Sequence, residues 1–92
     1  MITRFFVKQI KLIGHNSGYW HWSVRSVPIH SSQTEIKTRD GFAVFQYYLR
    51  PSYDLIQHIL WHRENIEVLE PSSLRDEMKA IIKQMLERYN SL

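Results

Sequence analysis

The last third of the chain has the clearest pattern of hydrophobic and polar positions. Between residues 74 and 89, apolar side chains recur at spacings of three and four, which predicts one long helix with a single apolar stripe. Ser73 followed by Asp76 resembles a capping box at the start of that helix. We expect the whole stripe to pack on the core of the domain. The stripe consists of Leu74, Met78, Ile81, Ile82, Met85 and Tyr89.

Four earlier or adjoining segments predict the strands of a sheet. Residues 4–13 and 42–49 are rich in β-branched and aromatic side chains. The second of these segments is largely apolar on both faces, which is typical of a central strand. Residues 32–38 predict a polar edge strand, and residues 66–69 predict a last short strand.

Two shorter helices are predicted between the strands. Residues 19–26 fit either a strand or a short helix, and we favour the helix. Ser52 is the expected N-cap of a second helix, and Asn65 is the expected left-handed residue near its end. The apolar stripe of that second helix is Leu55, Ile56, Ile59 and Leu60.

The order of these elements indicates an α+β fold. Asp40-Gly41 is a hairpin signal between the second and third strands, because such a turn needs residues with positive φ. We expect a ferredoxin-like split βαβ sandwich (β-α-β-β-α-β) with an added C-terminal helix. In that layout the first and third strands are central, and the helices cover one face of the sheet. The other face is left for a partner.

Composition bounds the size and the location of the protein. The 92 residues predict a single domain, 1–92, with an ordinary globular balance of 43% hydrophobic and 23% charged residues. The chain has no cysteine, and no apolar run approaches the roughly 20 residues that cross a bilayer. We therefore expect a cytoplasmic protein with no membrane partner. The net charge of +3 is compatible with a nucleic-acid partner but does not require one.

Catalytic and metal-binding chemistry find little support in the motifs. His30 stands beside Ser31 and Ser32, but nothing in the sequence marks an acid that would orient it. His58 and His62 share one helix face at a spacing that suits zinc, yet a third ligand is missing, so a solvated polar face is the simpler interpretation. We expect no enzyme activity, no cofactor and no metal.

Six aromatic residues suggest a binding surface. Aromatic side chains beside Arg or Lys can stack on single-stranded bases, and Tyr48 and Arg50 sit together at the end of the predicted central strand. The simpler alternative, which we favour, is that the rings fill a small core or a dimer surface. The six are Tyr19, Trp20, Trp22, Tyr47, Tyr48 and Tyr53.

Three segments in register carry a family resemblance. They are "VPIHSSQ" at 27–33, "RDGFAVFQYYLRPSYDLIQHIL" at 39–60 and "IEVLEPSSLRDEMKAIIKQMLERY" at 66–89. Together they resemble the C-terminal extension, or WCX domain, of WYL-domain transcriptional regulators, over about residues 9–89. The positions that match the family pattern are Pro28, His30, Ser32, Gln33, Ser52, Asp54, Leu55, Val68, Leu69, Pro71, Leu74, Arg75 and Tyr89.

The chain also departs from that pattern. Such regulators carry an N-terminal winged helix and a central WYL domain, and neither fits in 92 residues, so we expect an excised domain or a stand-alone remnant. Gly14 and Gly18 flank the helix expected before "VPIH". Family members usually have glycine where Arg63-Glu64 stands before the last strand.

The resemblance implies a non-catalytic module that senses an effector and joins a homodimer. The implied effector is a nucleotide or single-stranded nucleic acid, and the implied neighbours are the WYL and winged-helix domains of a bacterial parent protein. The "HSSQ" corner either holds the start of a strand or contacts the effector, and Arg75 is either solvated or anchors a carboxylate or phosphate. The candidate ligand-binding residues are His30, Ser32, Gln33, Tyr48, Arg50 and Arg75.

Two other functions remain open from the sequence. The first is direct binding of single-stranded nucleic acid by the open sheet face, through Tyr48, Arg50 and the Trp residues. The second is an acylphosphatase-type enzyme, which needs an Arg and an Asn over a phosphate. Every Asn of the chain lies outside the predicted strands, which argues against the enzyme: Asn16, Asn65 and Asn90.

Overall fold

The structure is a computed structural model that describes residues 7–39 and 41–91, without the side chains of Ser17 and His21. It contains strands β1 (Lys8–Gly14), β2 (Thr34–Arg39), β3 (Phe42–Leu49) and β4 (Ile66–Glu70). It also contains helices α1 (Ser17–Trp22), α2 (Tyr53–Trp61) and α3 (Ser72–Asn90), with a 3-10 turn at Arg63–Asn65 before β4. Residues 4–6 of the first predicted strand lie outside the described residues.

The four strands form one antiparallel sheet in the order β2-β3-β1-β4. β1 and β3 are central, and Ile10 pairs with Tyr47 while Leu12 pairs with Phe45. The predicted α+β fold is confirmed, and its sheet is antiparallel. At the β2–β3 turn Gly41 has a φ of 88°, as the hairpin signal requires, whereas Asp40 lies outside the described residues.

The core lies on one face of the sheet. Alternate residues of the strands point to that face, where they pack against α1, α2 and the first turns of α3. The opposite face carries polar side chains such as Gln9 and Gln46, whose amides are hydrogen-bonded at 2.6 Å. The buried cluster consists of Ile10, Leu12, Trp20, Val24, Ala43, Phe45, Tyr47, Leu49, Leu55, Ile56, Ile59, Ile66, Val68, Leu74 and Met78.

A close approach at Gly14 brings α1 onto the sheet. A Cβ atom at Gly14 would lie 3.0 Å from the Cβ of Trp20, so glycine lets the indole pack directly on the strand. Asn16 caps the helix, because its side-chain oxygen accepts a hydrogen bond from the Tyr19 backbone N–H at 3.3 Å. The favoured helix in this segment is confirmed, although it begins and ends earlier than predicted.

Of the two predicted ends of α2, only the N-terminal one is confirmed. Ser52 is the N-cap, and its hydroxyl accepts from the Leu55 N–H at 3.2 Å. The left-handed position after the helix belongs to Arg63, with a φ of 57°, so its assignment to Asn65 was wrong. The reason is that the chain leaves α2 through the 3-10 turn, which starts two residues before Asn65.

The C-terminal helix begins and packs differently from the prediction. Pro71 occupies the N-cap position and no side chain caps the helix, so the capping box at Ser73 was wrong. Leu74 and Met78 are buried. Ile81 is partly buried and packs against the core, as predicted. The last part of the stripe does not, because α3, which is about 28 Å long in total, follows an edge strand and extends past the sheet. The exposed apolar residues are Ile82, Met85, Leu86 and Tyr89.

None of the helices in the described ranges is long and apolar enough to span a lipid bilayer.

Candidate functional site

A recess of about 540 Å³ opens at the C-terminal end of β3, between the α1–β2 loop and the start of α2. We call it the β3 recess. His30 contributes from the loop, Tyr48 and Arg50 from the strand end, and Asp54 and His58 from the first turns of α2. The wall is completed by Val7, Ile29, Leu49, Ser52 and Leu55.

Hydrogen bonds hold the loop against the strand. The hydroxyl oxygen of Ser32 accepts from the Tyr48 backbone N–H at 2.9 Å and lies 2.8 Å from Nδ1 of His30. The Ser32 backbone N–H, which can only donate, points at the same Nδ1 at 3.1 Å. Nδ1 therefore accepts, and the neutral ring carries its proton on Nε2. His30 is exposed, so this Nε2–H is a donor presented to the recess.

Gln33 has a structural role inside the same loop. Its side-chain oxygen accepts from the Ile29 N–H at 3.2 Å and from the Tyr47 hydroxyl at 2.6 Å, while its amide donates to the Val24 carbonyl at 3.1 Å. The amide group thus joins the end of α1, the loop and β3. Burial raises the pKa of Tyr47, whose hydroxyl stays a donor. Gln33 does not line the β3 recess.

Arg50 supplies positive charge to the recess. It is exposed just after β3 and forms no ion pair with any residue in the described ranges. Tyr48 lies beside it, 52% exposed, with its hydroxyl accepting from the Gln46 amide at 3.0 Å. The strand end therefore presents a guanidinium group and a phenol ring to a ligand.

Arg75 lies elsewhere in the molecule. Its Nη1 donates to a Glu67 carboxylate oxygen and to the Val68 carbonyl, both at 2.6 Å, and thereby ties α3 to β4. His15 contacts the other oxygen of Glu67 at 2.7 Å. The hydrogen bond from Arg75, followed by that from His15, lowers the pKa of Glu67. The anchoring interaction of Arg75 is thus made within the chain.

The six candidate residues therefore divide into three groups. His30, Tyr48 and Arg50 line the β3 recess together. Ser32 and Gln33 hold the loop that forms its wall. Arg75 takes no part in it.

The sequence analysis did not identify one side of α2 as part of the candidate site. Asp54 and His58 line the β3 recess, and their spacing of four residues on the polar side of the helix was the available signal. His62 is 3% exposed and not on a solvated face, so that interpretation was wrong for it. His62 is buried because it has a neighbour on each side. Its ring stacks on the ring of His58, with 5.5 Å between the centroids, and the Tyr19 hydroxyl of α1 lies 2.9 Å from its Nδ1.

The buried imidazole of His62 has an unusual environment. Its Nε2 has no hydrogen-bond partner among the described residues. Burial, and secondly the nearby His58, lower the pKa of His62, which favours the neutral ring. No group of three His, Cys, Asp or Glu residues in the described ranges is arranged to hold a metal ion.

The aromatic residues do not share one surface. Trp20 and Tyr47 are buried, which agrees with the interpretation that these rings fill the core. Tyr48 is exposed at the recess, whereas Trp22 and Tyr53 are exposed on the two helices that cover the sheet.

These features define a small α+β domain with helices on one face of an antiparallel sheet and a polar recess at the end of a central strand. The family model of the WCX domain matches residues 15–86, and the chain belongs to this family. The resemblance to the C-terminal extension of WYL-domain regulators is thereby confirmed. None of the curated proteins compared with the chain matches it.

Proposed function

We propose that this chain is the non-catalytic regulatory module of a bacterial WYL-type transcription regulator, acting in the cytoplasm. In this role it senses an effector and joins two copies of the regulator. Membership of the WCX family supports the regulatory context. The proposed neighbours are a WYL domain and a winged helix of the same regulator.

We also infer that the fold is of ferredoxin-like type. The strand order β2-β3-β1-β4 supports this assignment, as do two helices that connect β1 to β2 and β3 to β4 on one face of the sheet.

The effector site that we propose is the β3 recess. The observation that carries it is the exposed guanidinium of Arg50, without an ion pair in the described ranges, beside the Nε2–H of His30. Both groups donate to oxyanions, and the adjacent ring of Tyr48 can stack on a base. A nucleotide or a short single strand of nucleic acid combines these two features.

The proposal is tested by binding of fluorescent single-stranded oligonucleotides to this chain, followed by anisotropy. Arg50→Ala should weaken binding about 10-fold, because one charge-assisted contact to phosphate is worth about 1.5 kcal/mol. Binding should also weaken with added salt. Arg88→Ala removes the same charge from the exposed end of α3 and is the matched control. Equal affinities of the two variants would remove the recess from the proposal.

The rival function is nucleic-acid binding by the helix-free face of the sheet alone. It is favoured by the exposure of Tyr48, which lies at the border between that face and the recess. The two functions differ at His30, which lies in the loop and not on the sheet. If His30→Ala leaves oligonucleotide affinity unchanged while Tyr48→Ala lowers it, the sheet face is the binding surface.

For the joining of two copies, we propose the exposed half of α3. Its apolar residues Ile82, Met85, Leu86 and Tyr89 form one stripe and are between 47% and 82% exposed. The stripe continues into a groove between α2 and α3 that includes Leu60 and Met78. A second copy of the same helix offers a matching apolar surface.

A further inference from the structure

A second depression lies on the helical side of the molecule, between α1 and α2. We call it the aromatic cleft. It encloses about 650 Å³, within the range of sites for small ligands. Trp22, Val27 and Trp61 form apolar walls, while Asp54, Gln57 and His58 line one side along α2. Trp22 is 76% and Trp61 68% exposed, which is unusual for tryptophan in a folded domain.

The charge of the aromatic cleft is opposite to that of the protein as a whole. Lys and Arg number 12 in this chain, yet none of them lines the cleft within the described ranges. The carboxylate that does line it belongs to Asp54, which forms no ion pair with a described residue. In addition, Trp61 is the last residue of α2, where the helix dipole is negative. In the β3 recess Arg50 accompanies the same carboxylate, whereas in the cleft no described Lys or Arg accompanies it, so a cation is favoured in the cleft over a phosphate.

The same protein shows elsewhere how it binds one particular cation. The guanidinium carbon of Arg25 lies 4.3 Å from the ring centroid of Trp20. The same guanidinium donates to Glu35 through two nitrogens, at 2.9 Å and 2.5 Å. The indole of Trp20 in α1 and the carboxylate of Glu35 in β2 thus bind the same guanidinium, the first by a cation–π contact and the second by hydrogen bonds.

We propose that the aromatic cleft binds a guanidinium group supplied from outside this chain. The indoles of Trp22 and Trp61 receive its faces, and the carboxylate of Asp54 accepts its N–H donors, as Trp20 and Glu35 do for Arg25. Guanidinium suits this site better than ammonium because it is planar, weakly hydrated and able to donate several hydrogen bonds in one plane. This site adjoins the proposed effector site, because Asp54 and His58 line both, but Trp22 and Trp61 line the cleft and not the β3 recess.

The first experiment compares two probes that differ in charge but hardly in shape. Nα-acetyl-arginine amide and Nα-acetyl-citrulline amide are titrated into the ¹⁵N-labelled chain, and the indole N–H signals are followed by NMR. We expect the arginine amide to shift the signals of Trp22 and Trp61 with a dissociation constant on the order of 1 mM. The citrulline amide should bind at least about five times more weakly. Equal binding of both probes, or no binding of either, would overturn the proposal.

Variants of the chain test which groups hold the ligand. Trp61→Ala and Asp54→Asn should each weaken binding of arginine amide about fivefold or more, because the first removes a ring that contacts the guanidinium and the second removes the charge that accepts its hydrogen bonds. Tyr53→Ala removes an equally exposed aromatic ring next to Asp54 but outside the cleft, and it should change affinity less than about twofold. Circular dichroism checks that each variant is folded. Undiminished binding by folded Trp61→Ala would place the ligand elsewhere and contradict the proposal.

Two further probes identify the source of the guanidinium. Agmatine represents a free metabolite, and acetyl-Gly-Arg-Gly-amide represents an arginine side chain of a protein segment. Tighter binding of the peptide assigns the cleft to a protein partner, whereas tighter binding of agmatine assigns it to a small molecule. Trp61→Ala, which changes the cleft alone, should leave oligonucleotide affinity unchanged, and this separates the cleft from the effector site.

Discussion

At the scale of single residues, Arg63 combines a large side chain with a left-handed backbone. Its φ of 57° brings Cβ close to the following carbonyl, which costs roughly 1–2 kcal/mol for a residue other than glycine. This is one of the two positions where the family resemblance led us to expect glycine. The conformation is imposed by the short path from the end of α2 to β4 through the 3-10 turn.

The first prediction follows from that conformation. Arg63→Gly should stabilise the domain by about 0.5–1 kcal/mol, because relief of the backbone strain exceeds the added flexibility of the unfolded chain. The melting temperature should rise by about 2–8 °C for a domain of this size, as measured by circular dichroism.

Glu64→Gly is the matched control for this prediction. Glu64 lies in the same turn but does not have a positive φ. Glycine there adds only unfolded-state flexibility, so the melting temperature should fall. A lower melting temperature for Arg63→Gly as well would mean that the side chain of Arg63 contributes more than its backbone costs.

The two ends of α2 show what the sequence could predict at this scale. The cap by Ser52 depends on a hydroxyl and an N–H three residues apart, so local sequence determined it. The left-handed residue depends on where β4 begins, and that is set by pairing with β1 far away in the chain. Arginine gave no local signal for such a position.

At the scale of elements, His62 is the side chain through which α1 and α2 meet. Its ring lies in edge-to-face contact with the ring of Tyr19, with 5.6 Å between the centroids. Its Nδ1 is hydrogen-bonded to the Tyr19 hydroxyl at 2.9 Å. The low exposure of the ring and its lowered pKa mean that protonation opposes this packing. The contact between the helices should therefore respond to pH.

The corresponding prediction concerns stability between pH 7 and pH 5. The folded pKa of His62 lies below the usual 6.5, so the unfolded chain takes up the proton first as the pH falls. The stabilisation is complete above the usual pKa and is lost progressively below it, at no more than about 1.4 kcal/mol per pH unit. The free energy of unfolding in urea measures this slope.

His62→Phe should reduce the slope, because the titrating ring is removed while an aromatic ring remains. Gln57→Ala, a change of an exposed residue of α2 that carries no titratable group, should keep the slope. Glu67 does not interfere, since its lowered pKa places its effect below the usual 4.5. An unchanged slope in His62→Phe would show that the buried imidazole does not couple the helices to pH.

Some elements were predicted accurately from the sequence, whereas contacts between elements were not. β3 was predicted within its observed limits because both its faces are apolar and it is central in the sheet. The burial of His62 was missed because it arises from Tyr19, which is 43 residues away. Likewise Trp61 went unnoticed, since only the meeting of α1 and α2 makes it part of a cleft.

At the scale of the whole molecule, α3 extends beyond the sheet. Its second half has four large apolar side chains that are between 47% and 82% exposed, among them Met85 and Leu86. Exposed apolar stripes of this kind mark interaction surfaces in soluble proteins. The periodicity predicted the stripe correctly, but periodicity does not report how far the sheet extends under it.

The third prediction tests the proposal that two copies of the chain associate through α3. The wild-type chain should sediment as a dimer, and Met85→Glu should sediment as a monomer, because a buried carboxylate opposes association. Gln84→Glu adds the same charge on the opposite side of the helix and should remain dimeric. Sedimentation velocity distinguishes these states, and a monomeric wild-type chain at high concentration would contradict the assignment.

The candidate site was predictable to a comparable extent. His30, Tyr48 and Arg50 were selected from the sequence and lie around one recess. They meet there because the α1–β2 loop packs against the C-terminal end of β3. Arg75 was grouped with them although its hydrogen bonds are made to β4. The sequence shows that an arginine can bind an anion, but it does not show whether a carboxylate of the same chain, here that of Glu67, already binds it.

The bonds from Ser32 and Gln33 have a consequence for any molecule that enters the recess. They fasten the loop to Val24, Tyr47 and Tyr48, so the wall that carries His30 is held by hydrogen bonds within the chain itself. An occupant consequently spends little of its interaction energy on ordering the chain. For the proposed effector, association should then be fast and nearly rigid, and in the proposed regulator we expect the signal to neighbouring domains to be a displacement of the sheet as a unit and not folding of the loop.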